Sequence, residues 1–205
     1  VAPSIKRGLS IYGSRLFVPT SDAHVVALDV KTGKVAWDTA IADPKQGYRV
    51  TGGTLVVRGK VMVGTTGRAP GGNLIVALDT QTGKEAWRFN TVPGPGEPGN
   101  ETWAGDSWMH GGAPVWVTGS YDPELNLTYW GTGNPGPDWD GAGRLGDNLY
   151  SASVIALDPD TGTLKWHYQF SPHNEFDWDS AQVPVLADMD WQGKPRKVML
   201  WANRN

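Results

Sequence analysis

Two aspartates separated by a single residue are the strongest candidates for chemistry in this sequence. Asp177 and Asp179 lie within Ser171–Ser180, with Trp178 between them and Phe176 before them. Two carboxylates among aromatic side chains repel each other, so a hard cation with oxygen ligands would stabilise them. Burial and like-charge coupling would also leave one carboxylate suited to act as a general base. The alternative is a polar loop in which both aspartates form turns.

Other familiar catalytic patterns do not fit. Gly105-Asp106-Ser107 has no strand-to-helix elbow and no Gly-x-Ser-x-Gly motif around it. The four histidines lack zinc-ligand spacing, and no glycine-rich phosphate loop precedes a helix. The absence of cysteine excludes disulfides, thiolate metal sites and a cysteine nucleophile in this segment. These observations disfavour the common hydrolase and nucleotide-binding classes.

The amino-acid composition further restricts the fold class and the possible partners of the chain. A net charge of −3 and a pI of about 5.8 argue against nucleic acid as a partner, and no apolar run approaches the length of a membrane span. The sequence starts at Val1-Ala2-Pro3 rather than Met, which predicts a processed chain or one cut from something longer. The 27 glycines, 15 prolines and 11 tryptophans indicate many turns and many aromatic contacts, which favours an all-β architecture of short strands.

A repeated sequence segment predicts the strands that would position these candidate residues. Three similar segments each contain an Asp-x-x-Thr-Gly turn followed by a tryptophan: Ala27–Trp37, Ala77–Trp87 and Ala156–Trp166. A β-branched run precedes each segment, so each unit is predicted to be a hairpin whose glycine supplies the positive φ of the turn. The tryptophan is predicted to pack between adjacent sheets. The turns resemble part of a calcium loop, but the full spacing is absent, so we interpret them as structural.

A second pair of strand-like runs precedes each hairpin, and in the third unit these runs are Val115–Ser120 and Leu127–Gly131. Four strands per unit with a tryptophan signature indicate propeller blades. We predict units at 9–40, 50–92 and 113–170, and a half blade at 183–205. Three and a half blades leave open edges, so we expect a segment of a larger chain. Such a piece could exist alone only if the missing blades came from elsewhere.

Two long loops separate the second and third repeats. Thr91–Gly112 and Thr132–Tyr150 are rich in Gly, Pro, Asn and Asp, and they contain Trp103, Trp108 and Trp139. Long loops that carry large aromatic side chains are typical of ordered functional loops.

Polar groups also follow the strands of successive units. Thr65-Thr66-Gly67 ends a strand of the second unit, and Asn134 follows a strand of the third. Equivalent ends of successive blades face one central channel, so Asn134, Asp177 and Asp179 are candidate oxygen ligands for a hard cation. Asn134 alone would more often be a turn residue before proline.

These residues carry a resemblance to a known family. The chain resembles the pyrroloquinoline-quinone-dependent alcohol dehydrogenases, the methanol/ethanol dehydrogenase family of eight-bladed propellers, over essentially its whole length. The resemblance implies oxidation of a primary alcohol to an aldehyde by hydride transfer to metal-bound pyrroloquinoline quinone. The motifs that carry it are Lys6-Arg7-Gly8, Tyr121–Leu127, Trp130–Pro135, Gly146-Asp147-Asn148, Asp158–Gly162, Pro172–Asp177 and Asn203-Arg204-Asn205.

The resemblance also implies individual roles. Asp177 matches the catalytic base that accepts the alcohol proton. The implied ligands of a lanthanide or calcium ion are Asn134, Asp177 and Asp179, of which Asp179 marks the lanthanide-using members. The implied cofactor-binding residues are Arg7, Thr51, Thr66, Gly67, Trp116 and Arg204. Among them, Arg204 would contact the quinone oxygens, and Trp116 would form the floor on which the planar cofactor stacks.

One position departs from the family pattern. Where the family supplies a metal-binding glutamate, this chain has Ala69, and the neighbouring Arg68 adds a positive charge. One carboxylate ligand is therefore missing, and Glu101 and Asp106 are candidate replacements.

The resemblance further implies a small alcohol as substrate, a cytochrome c-type electron acceptor and a periplasmic location. We expect this 205-residue piece to be inactive by itself. Two alternatives stay open: a non-catalytic propeller scaffold of the same repeat family, and a carbohydrate-binding propeller that uses exposed tryptophans.

Overall fold

The structure is a computed structural model that describes residues 7–204, so Lys6 and Asn205 lie outside it. Within that range there is no α-helix, and short 3-10 helices occur only in loops: Pro44–Gln46, Asn100–Thr102 and Ser107–His110. None of the described helices has the length and apolar character required to cross a bilayer.

The first sheet contains four antiparallel strands in chain order. They are β1 (Ser10–Tyr12), β2 (Arg15–Pro19), β3 (His24–Asp29) and β4 (Val35–Ala40). A short strand, β5 (Tyr48–Arg49), follows this sheet and pairs outside it with β8 (Thr66–Gly67).

Two further sheets repeat the same up-and-down order. The second contains β6 (Leu55–Val57), β7 (Lys60–Gly64), β9 (Leu74–Asp79) and β10 (Glu85–Asn90). The third contains β11 (Ser120–Asp122), β12 (Leu127–Gly131), β13 (Ser153–Leu157) and β14 (Leu164–Gln169). A final hairpin pairs β15 (Val185–Trp191) with β16 (Lys194–Leu200).

Four-stranded meandering sheets followed by a two-stranded hairpin form part of a β-propeller, which confirms the predicted fold class. The unit boundaries drawn from the sequence stay a prediction, because a unit also includes the loops on either side of its sheet.

The central strands of the second sheet, β7 and β9, are buried on both faces, and this explains their nearly continuous apolar sequences. Val61 and Val63 pack toward the first sheet, whereas the intervening Met62 packs toward the third. Side chains alternate between the two faces of a strand, so the central strands of a blade with a neighbour on each side need apolar residues on both faces. The core therefore lies in the layers between successive sheets.

The repeated turns and tryptophans connect these sheets. In the first turn, the Asp29 carboxylate accepts hydrogen bonds from the backbone N–H and the hydroxyl of Thr32, both at 2.8 Å, and Gly33 has a φ of +69°. Trp37 of the first sheet donates from Nε1 to the carbonyl of Thr80 in the second turn at 3.2 Å. Trp87 donates in the same way to Pro159 of the third turn at 2.9 Å. Trp37 and Trp87 therefore each dock on the turn of the following blade.

The third sheet begins later than the sequence predicts. The run Val115–Ser120 was expected to be a strand, but β11 starts only at Ser120. The backbone N–H of Val115 donates instead to the carbonyl of Thr65 at 2.8 Å, and that of Ala113 donates to Asn134 at 2.6 Å. Those bonds connect the second blade to the loop after β12, so the segment cannot also pair within its own sheet.

The two long loops pack against each other. Trp103 of the first loop is 4% exposed, and its indole donates to the carbonyl of Leu149 in the second. The Tyr150 hydroxyl donates to the carbonyl of Pro98 at 3.0 Å. Trp139 behaves differently, because 69% of its surface is exposed. The loops are thus ordered by mutual burial, with one aromatic side chain left at the surface.

Candidate cofactor and metal site

Three of the predicted site residues lie together. The backbone N–H of Asn134 donates to Asp179 Oδ1 at 3.0 Å, and the Asn134 side-chain amide donates from Nδ2 to Asp177 Oδ1 at 2.6 Å. Arg204 lies beside them and donates from Nη1 to the backbone carbonyl of Asp177 at 2.8 Å. The loop after β12, the loop after β14 and the segment after β16 therefore converge on one point.

Local backbone chemistry allows this convergence. A Cβ at Gly133 would come within 2.3 Å of Asp179 Oδ1, so only glycine lets that carboxylate reach the Asn134 backbone. Asp177 has a φ of +57°, a left-handed conformation that aspartate tolerates better than most residues. Just before it, the Asn174 Oδ1 accepts the backbone N–H of Phe176 at 2.8 Å and closes the turn.

The site concentrates negative charge. Burial raises the pKa of Asp179, and the nearby charges of Asp177 and Asp138 raise it further. The Asn134 backbone N–H and the Arg204 guanidinium act in the opposite direction without cancelling the effect. A raised carboxyl pKa means that the ionised form lacks sufficient compensation, and a bound cation would supply it.

The donor chemistry of this cluster fits a hard cation. Two carboxylates and an amide oxygen are ligands that such ions accept. Among residues 7–204, no group of three or more His, Cys, Asp or Glu is arranged to hold a metal ion. The cluster therefore depends on Asn134 for its third ligand.

A cavity of about 780 Å³ opens beside Asn134. It is bounded by the short strand β8 on one side and by the second long loop on the other. Its lining residues are Thr66, Gly67, Arg68, His110, Gly112, Pro114, Asn134, Gly136, Pro137, Asp138, Trp139 and Asp140. Two predicted cofactor-binding residues, Thr66 and Gly67, thus share a cavity with a predicted metal ligand.

The remaining cofactor-binding candidates form a second group. The Arg7 guanidinium lies 4.9 Å from the centroid of the Trp116 ring, and its Nη1 donates to the carbonyl of Thr51 at 3.4 Å. The two groups are connected through the backbone, because Trp116 follows Val115, which bonds to Thr65 beside Thr66. A basic group held over an aromatic ring is suited to an anionic planar ligand.

The structure places no acidic side chain at Ala69, the position at which the resemblance implies a metal-binding glutamate. Ala69 is fully buried, and a Cβ at Gly111 would come within 2.4 Å of its carbonyl oxygen. Neither candidate replacement, Glu101 or Asp106, lines the cavity. Glu101 accepts the backbone N–H of Gly99 in its own loop at 2.8 Å, and Asp106 is exposed. The described cluster thus has one acid fewer than the resemblance implies.

Two buried residues at this site were not predicted from the sequence. Arg144 and Asn174 both contact the loops that carry the predicted ligands. A single arginine in a glycine-rich loop normally indicates a surface position, and an asparagine three residues before an aspartate normally indicates a turn. Their importance depends on contacts across about 30 residues or more, which no local pattern reveals.

The fold defines the class as a β-propeller segment with a polar site at one end of its blades, and comparison with known proteins identifies the family. The family described as "PQQ: Glucose/ethanol/alcohol dehydrogenase, beta-propeller domain" matches residues 44–205. Quinohemoprotein alcohol dehydrogenase ADH IIB of Pseudomonas putida is 43% identical over 98% of this chain and 31% of its own length.

Lanthanide-dependent relatives are also similar. The lanthanide-dependent methanol dehydrogenase of Methylorubrum extorquens is 36% identical over 98% of this chain and 37% of its own length. The solved structure of a europium-containing methanol dehydrogenase superposes with a TM-score of 0.90 at 36% identity, covering 98% of this chain and 38% of that one. The chain belongs to the pyrroloquinoline-quinone-dependent alcohol dehydrogenase family and spans about a third of the length of the curated relatives it matches.

Proposed function

We propose that the protein containing this chain oxidises a primary alcohol to an aldehyde, with pyrroloquinoline quinone as cofactor and a lanthanide or calcium ion beside it. The observation that carries the proposal is the convergence of Asn134, Asp177 and Asp179 from loops more than 40 residues apart. A propeller that served only as a scaffold would have no need to bring two carboxylates together at a buried amide.

Asp177 is proposed as the general base. Its Oδ1 accepts the Asn134 amide, and no hydrogen bond from the described residues reaches Oδ2. One oxygen therefore holds the carboxylate in place while the other is available to accept the proton of the alcohol hydroxyl. The bond from Arg204 to the Asp177 carbonyl holds the backbone of the same residue.

The cation would be held by Asn134, Asp177 and Asp179. The second aspartate adds a negative charge, which favours a trivalent ion, whereas the absence of an acid at Ala69 removes one. The proposal therefore includes both a lanthanide ion and a calcium ion. When bound, the cation and the quinone supply the Lewis acid and the carbonyl carbon that accepts the hydride.

The cofactor would be held by the two groups already described. Arg7 and Arg204 supply positive charge for its carboxylates and carbonyl oxygens, and Trp116 supplies a planar apolar surface. Thr51 follows β5, and Thr66 and Gly67 form β8; these three residues offer hydroxyl and backbone groups. A cytochrome c-type acceptor, a periplasmic location and completion of the ring by further blades belong to the same proposal.

The test uses the full-length protein supplied with the quinone and either La³⁺ or Ca²⁺, assayed on primary alcohols with an artificial electron acceptor. Asp177→Ala is expected to lower turnover by about 10²-fold or more, the contribution typical of a general base. Asp190→Ala removes an exposed carboxylate on β15 and is the matched control. Undiminished turnover in the Asp177 variant would remove this residue from the role of base.

A non-catalytic propeller is the second candidate, and buried Ala69 is the observation that favours it. This candidate predicts that the purified protein does not bind the quinone at micromolar concentration. A titration of quinone followed by absorbance, with and without La³⁺, separates the two functions.

A further inference from the structure

A completely buried arginine lies behind the site and has no role in the proposed chemistry. Arg144 is 0% exposed, and all three of its side-chain nitrogens donate hydrogen bonds. The acceptors are the carbonyl of Pro137 at 2.9 Å, Asn148 Oδ1 at 2.8 Å, the carbonyl of Asp138 at 3.1 Å and the carbonyl of Asn174 at 2.6 Å.

This arrangement is not an ion pair. Within residues 7–204, no acidic side chain forms a salt bridge with Arg144. Burying a guanidinium among neutral acceptors is costly, and burial lowers the pKa of Arg144 accordingly. The planar fork of arginine is the side chain that can span several fixed carbonyl oxygens at once. The geometry thus joins the second long loop to the loop that carries the aspartates.

Asn174 extends this network to the proposed ligands. It is 2% exposed, and its Nδ2 donates to Asn134 Oδ1 at 3.0 Å and to the carbonyl of Trp178 at 3.1 Å. Because Asn134 Oδ1 accepts from Asn174, the opposite end of the Asn134 amide faces Asp177 Oδ1. A carbonyl oxygen has two lone pairs, so Asn134 Oδ1 keeps one for a cation.

We propose that Asn174, held by Arg144, is a positioning residue that sets the orientation of the Asn134 amide and thereby the geometry of the cation site. This inference rests on the proposed function, because it assigns to Asn134 the role of a ligand. Groups that hold a metal ligand from behind determine its orientation, and their loss typically weakens metal affinity by about 10- to 100-fold.

Asn174→Ser is the informative substitution. A serine at this position retains a side-chain oxygen that can accept the backbone N–H of Phe176, but it is too short to donate to Asn134. The turn before Asp177 is therefore preserved while the amide of Asn134 loses its partner. Asn100→Ser is the control, since Asn100 is a half-buried asparagine of another loop and also donates from Nδ2 to a backbone carbonyl, that of Pro93, at 2.9 Å.

The experiment titrates Eu³⁺ into the full-length, quinone-loaded protein and measures luminescence decay in H₂O and in D₂O. The decay rates give the number of water molecules on the ion, a quantity that a change in stability alone would not alter. Asn174→Ser is expected to raise the Kd for Eu³⁺ by about 10- to 100-fold and to add one coordinated water. Asn100→Ser is expected to leave both quantities at the wild-type value.

Arg144→Lys is the second variant and keeps the inference testable if Asn174→Ser does not fold. A lysine retains the charge but cannot span the same carbonyls, so Eu³⁺ affinity is expected to fall with a smaller change in hydration. A folded Asn174→Ser protein with wild-type Kd and hydration would overturn this inference alone. A wild-type protein that binds neither quinone nor Eu³⁺ would overturn the proposed function and this inference with it.

Discussion

The same glycine substitution at each of the three repeated turns tests how much tryptophan docking contributes to stability. Gly33, Gly83 and Gly162 occupy equivalent positions with φ of +69°, +71° and +75°. A Cβ added at Gly33 would meet no heavy atom within 4 Å, whereas one at Gly162 would lie 2.6 Å from the Trp87 indole. The same substitution thus has the same backbone cost at both positions but a different steric cost.

The magnitudes follow from this difference. A left-handed conformation costs an L-residue about 1–2 kcal/mol, and the reduced entropy of the unfolded chain returns part of that cost. Gly33→Ala should therefore lower the free energy of unfolding by about 1 kcal/mol. At Gly162 the indole cannot yield, because Trp87 is 7% exposed and bonded to Pro159. Overpacking adds about 2 kcal/mol.

Urea denaturation of the 205-residue chain, followed by tryptophan fluorescence and circular dichroism, measures both variants. The expected gap of about 2 kcal/mol corresponds to roughly a 30-fold difference in the folding equilibrium constant. Gly83→Ala should lie between the two, since the Trp37 ring beneath it is only partly buried. Equal destabilisation by Gly33→Ala and Gly162→Ala would refute the docking argument. In a longer protein, a cost at Gly33 that rises to the Gly162 value would indicate a tryptophan docked from another blade.

Two further substitutions test other parts of the structure. Trp87→Phe keeps most of the ring packing but loses the hydrogen bond to Pro159, so the free energy of unfolding should fall by about 1 kcal/mol. Urea denaturation measures this change, and Trp191→Phe at an exposed position is the control. Asp179→Asn should stabilise the chelator-treated protein at neutral pH but not in acid. Burial raises the pKa of Asp179 in the folded state, so the stability gained from its proton is present below the unfolded pKa and is lost as pH rises through the folded pKa. If Asp179→Asn changed the free energy of unfolding equally at every pH, the raised pKa of Asp179 would be contradicted.

The fold was predictable because its determinants are local and repeated. The Asp29 turn satisfies its own backbone within five residues, and the strands on either side alternate as a sheet requires. The position of each tryptophan then predicts contact with a neighbouring sheet, and the structure confirms it for Trp37 and Trp87. The late start of β11 was not predictable, because the backbone N–H of Val115 bonds to Thr65 of another blade.

The site was only partly predictable, for the opposite reason. Asp177 and Asp179 are adjacent in sequence, so their pairing could be noticed, but their contact with Asn134 spans more than 40 residues. The roles of the predicted site residues stay predictions. Arg144 had no local signal at all, because its isolated charge in a polar loop is typical of a surface residue. Only the fold shows that four carbonyl or amide oxygens surround it.

The division between predictable and unpredictable residues has a physical cause. The blades are stabilised by burial between sheets, and that requirement is written into every strand as an apolar pattern. The site lies on loops that contribute little to these layers. The residue types in these loops are therefore determined by contacts between the loops and not by the blade repeat. Trp103 against Leu149, Arg144 against Asn174 and Asn134 against Asp177 are contacts between loops. A change within a blade should therefore alter stability first, whereas a change among these loop contacts should alter the geometry of the site first.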